Sequence, residues 1–104
     1  MTAPEDRKIL VHESAVALGA KWARSWCDTM RRDGRPVAGG WPGTVAEARA
    51  RVAAYFRGEL AKRGLPRLTI DELSWASKEA YASARHDWHA LCAPPRRRTA
   101  RRTG

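Results

Sequence analysis

The stretch LAKRGLPRLTIDEL (Leu60 to Leu73) stops one helix and starts another within a few residues, and so restricts the fold more than any other part of the chain. Gly64 suits the left-handed position that follows a helix, Leu65 is placed to touch Leu60 as in a Schellman motif, and Pro66 forbids continuation. Thr69 and Glu72 have the spacing of a capping box, and Leu68 and Leu73 that of a hydrophobic staple. The same entry device stands upstream in TVAE, with Thr44 as cap and Glu47 three residues on.

Between these punctuation marks the apolar residues recur every three or four positions. Val11, Ala15, Leu18, Trp22, Trp26 and Met30 form one stripe, and Ile9, Val16, Ala20, Ala23 and Cys27 widen its arc. Val45, Ala48, Val52, Tyr55, Phe56 and Leu60 form a second stripe. Ile70, Leu73, Ala80, Tyr81, Ala84, Trp88 and Leu91 form a third, ended by Pro94-Pro95. Gly34, with Arg31 and Arg32 before it, marks the end of the first helix. Helices are predicted over about 5–32, 45–63 and 70–92, and no segment alternates as a strand would. The short connections predict antiparallel neighbours in an all-α three-helix bundle over residues 1–93, followed by a basic, flexible tail over 94–104. The Ala- and Arg-rich composition agrees, because these residues lose little on entering a helix.

The chain of 104 residues carries a formal charge of +9, unevenly spread. Residues 1–33 hold six basic and five acidic side chains, 34–64 hold six and two, 65–92 three and four, and 93–104 five and none. The tail arginines Arg96, Arg97, Arg98, Arg101 and Arg102 have the forked donors that suit phosphate, and Arg49, Arg51, Arg57, Lys62 and Arg63 are expected to continue them as a basic flank on the second helix. No helix-turn-helix, zinc-finger or RNA-binding signature aims this charge at a base sequence. The expected partner is therefore nucleic acid, DNA or RNA, held by its backbone with low sequence selectivity. The competing expectation is an acidic protein partner or assembly role, in which the chain docks or forms homo-oligomers through its first helix. There Ala15, Gly19 and Ala23 place a small residue at every fourth position. Trp75, off the buried stripe of the third helix and on the side of His86 and His89, adds a candidate contact surface.

Catalytic and metal chemistry find little support. The glycine-rich GRPVAGGWPGT lacks the strand and the lysine of a phosphate loop, and serves more simply as a helix-to-helix turn. His86, His89 and Cys92 step round the helix instead of converging, and no CxxC or HExxH spacing is present. The acids Asp71, Glu72, Glu79 and Asp87 are spread along one helix, with no marked nucleophile and base. Neither enzyme activity nor a cofactor nor a metal is expected. Two distant cysteines, no leader pattern at MTAPEDRK and no apolar run of about twenty residues point to a cytoplasmic protein without a membrane span.

Overall fold

The computed structural model describes residues 4–36 and 40–92; the arginine tail lies outside the described residues. Three helices follow in order, α1 (Pro4–Arg32), α2 (Val45–Lys62) and α3 (Ile70–Cys92). No strand occurs among the described residues. The all-α three-helix bundle expected from the periodicity is the fold observed, with helix limits within a residue or so of those expected.

Each terminus forms as its local chemistry dictates. Thr44 lies in extended backbone (φ −119°, ψ 160°), its Oγ1 accepts the Glu47 amide at 3.1 Å, and the Glu47 carboxylate accepts the Thr44 amide at 3.3 Å. Thr69 and Glu72 repeat the exchange at 3.1 and 2.9 Å. Gly64 (φ 68°) ends α2 as its sequence suggests: its amide donates to the Ala61 carbonyl at 3.1 Å, and that of Leu65 to the Leu60 carbonyl at 2.8 Å. Gly34 (φ 72°) ends α1 by the same two bonds, to Arg31 and Met30. Both glycines occupy a conformation that any Cβ would strain.

The helices run up, down and up. α2 is antiparallel to both neighbours, while α1 and α3 lie parallel and share the most extensive contact. The parallel register shows in three ties taken in the same order along both helices: Arg7 to Glu72, His12 to Glu79, and the Ser83 hydroxyl donating to the Val16 carbonyl at 2.7 Å. Small residues make this pairing possible. Ala15 and Ala23 of α1 and Ala76, Ala80 and Ala84 of α3 are all buried. At Gly19 the Ala80 carbonyl occupies the space a side chain would need, and an added Cβ would stand 2.9 Å from that of Ser83 and 3.0 Å from the Ala84 nitrogen. The α1 small-residue series thus closes the bundle on itself, which corrects the assignment of Gly19 to an external interaction surface.

Two core clusters divide the molecule along its length. Val11, Ala15, Val52, Phe56, Leu60, Ala76 and Ala80 form an aliphatic half, with Leu65, Leu68 and Leu73 against it. Trp22, Ala23, Cys27, Ala48, Ala84 and Trp88 form a tryptophan half, with Trp26, Trp41, Tyr81, Leu91 and Cys92 packed on it. Trp41 comes from the connection before α2 and seals this half, its ring 4.8 Å edge-on from Trp22 and 5.5 Å from Trp88. Gly43 is buried directly beneath that indole. The expected apolar faces are too wide in places: Ile9 and Val16 on α1, Val45 and Tyr55 on α2, and Ile70 at the start of α3 remain exposed.

Candidate nucleic-acid interface

The fold sorts the charges in a way that segment sums along the chain do not. The tryptophan half takes residues 21–51 and 85–92, which carry eight basic and four acidic side chains, a net +4. The aliphatic half takes residues 5–20 and 52–84, with seven of each and no net charge. α3 ends at Cys92 in the tryptophan half, so the five tail arginines are tethered there too. All of the +9 excess belongs to one end of the molecule or to the segment that continues from it.

Within the tryptophan half the outward face of α1 carries three cations and one carboxylate. Lys21, Arg24, Ser25, Asp28 and Arg32 are all exposed and line a shallow depression of about 400 Å³. A second depression, about 200 Å³, lies where α1 meets the start of α2, lined by Trp22, Ser25, Trp26, Thr29, Glu47 and Arg51. Arg51 lies over the Trp22 ring, its guanidinium carbon 4.9 Å from the centroid, so its charge stays near the surface while it covers the indole. The carboxylate of Glu47 is held by the Thr44 amide.

The basic flank expected on α2 is not a single surface. Arg51 turns to the α1 side, whereas Arg57 turns to the α3 side, where with Arg67 it borders an apolar depression floored by Phe56, Leu68 and Leu73. Lys62 is 3.3 Å from Glu59. Arg49 and Arg63 are exposed. Lys62 and Arg63 sit at the far end of α2 from the tail's tether, so only part of the expected track faces the same way. Lys21, Arg24 and Arg32 were not anticipated. Their signal is present in the sequence as an i, i+3, i+11 series on one helical face, but summing 1–33 as one block averages it against Glu5, Asp6 and Glu13 at the opposite end.

The patch expected around Trp75 also separates. Trp75 is half-buried and packs on the aliphatic core, beside a depression shared with Lys8, Ile9, His12 and Glu79. Its neighbours there are three α1 residues and Glu79, one turn along its own helix, and not the expected histidines: His86 and His89 are exposed and lie about 16 and 21 Å further along α3, at 1.5 Å per residue. His12 Nδ1 is 2.7 Å from Glu79 Oε1 across that groove.

Among the described residues no three of His, Cys, Asp and Glu gather as a metal-binding group. Cys92 packs on the cluster that contains the buried Cys27; burial raises its thiol pKa, Cys27 adds to the rise and Arg31 opposes it. A raised thiol is mostly protonated near neutral pH and is a weak nucleophile. At the opposite end, Arg7 Nε donates to Glu72 Oε2 at 2.8 Å and Nη2 to Oε1 at 3.0 Å, and Nη2 also reaches the Pro66 and Arg67 carbonyls. The Arg7 hydrogen bond holds the Glu72 carboxyl below the usual carboxylate range against the opposing effect of burial. This ion pair ties α1, the α2–α3 connection and the start of α3 together, which is a structural task.

No described helix is long and apolar enough to cross a membrane. Compared with known protein families, with curated proteins and with solved structures, the chain matches none of them.

Proposed function

We propose that this chain is a small, non-enzymatic cytoplasmic protein that binds the phosphate backbone of nucleic acid with little sequence selectivity, through the basic face of its tryptophan half and the arginine tail tethered beside it. One observation carries this: the bundle half from which the tail continues is itself +4, while the other half is neutral. A charge placed only for solubility has no need to collect at one end, whereas a polyanion contact gains from every cation on the same side.

The test is binding of the full chain, and of a version ending at Ala93, to labelled DNA and RNA across a salt series. The five tail arginines are expected to account for about four units of the log–log salt slope on a duplex, at about 0.9 per neutralised phosphate. Absence of binding by either version at about 50 mM salt, where phosphate contacts are strong, overturns the reading.

A second reading is favoured by a separate observation: Ile9, 53% exposed, borders the Trp75 depression on the neutral half. In it the chain docks an acidic protein partner or a second copy there, with the tail as an accessory contact. It requires an assembly mass that persists at high salt and falls when Ile9→Glu is introduced.

A further inference from the structure

We infer that the outer face of α1 from Lys21 to Arg32, with Arg51 across the adjoining groove, is a phosphate track for duplex nucleic acid in preference to single strands; this rests on the function proposed above.

The two depressions on this face meet at Ser25, so they form one continuous path from Arg51 to Arg32. Lys21 and Arg32 are eleven residues apart, three helical turns, and therefore project from nearly the same side of α1 about 17 Å apart. That distance matches about five base-pair steps of one strand at 3.4 Å each. Ser25 and Thr29 add hydroxyl donors, the kind of side chain that accompanies Arg and Lys on phosphate oxygens. Among the described residues none of Lys21, Arg24, Arg32 and Arg51 is paired with a carboxylate, whereas Arg7 and Lys62 of the neutral half are. Two acids border the path. Glu47 is occupied by its cap, which leaves Asp28 as the exposed carboxylate within it.

The preference for duplex follows from the aromatic residues. Sequence-tolerant single-strand binding depends on aromatic faces on which successive bases stack. The basic half holds four of the five tryptophans and presents none as an exposed platform. Trp22 and Trp88 are buried, Trp41 is set against both, and Trp26 is half-buried on the same core. Tyr55, the most exposed of the Trp, Tyr and Phe side chains among the described residues, belongs to α2 in the neutral half and stands edge-on to Phe56. Along the α1 face the exposed residues Lys21, Arg24, Ser25 and Arg32 are cationic or hydroxylic, with Asp28 the exception, which suits a rigid, densely charged backbone.

The decisive experiment compares full-length variants of equal charge change, K21E/R24E and R57E/R63E, together with D28N, on DNA and RNA duplexes of about twenty base pairs and on an oligo(dT) strand of equal length. K21E/R24E is expected to weaken duplex binding by about tenfold or more and R57E/R63E by less than about threefold, while D28N tightens it by about two- to fivefold. Oligo(dT) is expected to bind at least about fivefold more weakly than either duplex, without quenching tryptophan emission. Equal losses from the two double variants, or no gain from D28N, overturn the track. Oligo(dT) binding as tight as duplex, with quenching, overturns the duplex preference and leaves the proposed function standing. Absence of binding to all three nucleic acids removes the function and the track together.

Discussion

Two glycines in helices make opposite demands on the chain. In an exposed helix Gly→Ala is expected to stabilise by about 0.5–1 kcal/mol, because alanine loses less backbone freedom. Gly58 has open space where a Cβ would go, so Gly58→Ala should raise the urea midpoint by an amount of that order. Gly19 faces the Ala80 carbonyl and the Ser83 side chain, so Gly19→Ala must push α1 and α3 apart. Overpacking of a tight contact costs about 1–3 kcal/mol, which exceeds the propensity gain, and the midpoint should fall. A stabilised Gly19→Ala would show that the parallel pair is looser than described. The sequence marked Gly19 as a small residue in a series of small residues. It could not say which surface the series meets, because that depends on the rotation of α1 about its axis relative to α3.

Helix limits, caps and stops were legible because each depends on residues within about five positions of one another, as in Thr69–Glu72 or Leu60–Leu65. The tie from Arg7 to Glu72 and the Pro66–Arg67 carbonyls spans about sixty residues and has no local signature. It does have a pH signature. With the folded-state pKa of Glu72 lowered, its contribution to stability is complete above the ordinary carboxylate pKa and is lost as pH falls through the lowered value. Glu72→Gln keeps a side chain able to serve the capping box but removes the ion pair. It should therefore flatten the loss of stability seen in urea titrations between neutral and acid pH. An unchanged acid limb would assign that loss to other carboxylates.

Over the whole molecule, the division into an aliphatic and a tryptophan half was only partly readable. The tryptophans on the stripes, Trp22, Trp26 and Trp88, lie in or against the core as their spacing suggests. That one core would collect Trp22, Trp26, Trp41 and Trp88, and that the same half would collect the excess charge, required the helix directions. Trp41 is the keystone of that half, so Trp41→Ala should cost about 2–4 kcal/mol, somewhat less than a fully buried tryptophan, and weaken the near-ultraviolet dichroism of the coupled indoles. A molecule charged at one end also has an orientation before it has a contact. A polyanion turns it so that the tryptophan half leads. On the proposed track only about 17 Å of an α1 helix about 43 Å long would touch the strand, and the aliphatic half would overhang the neighbouring steps. Each bound copy would then cover more of the strand than it contacts, so crowding along a strand would be governed by the neutral ends.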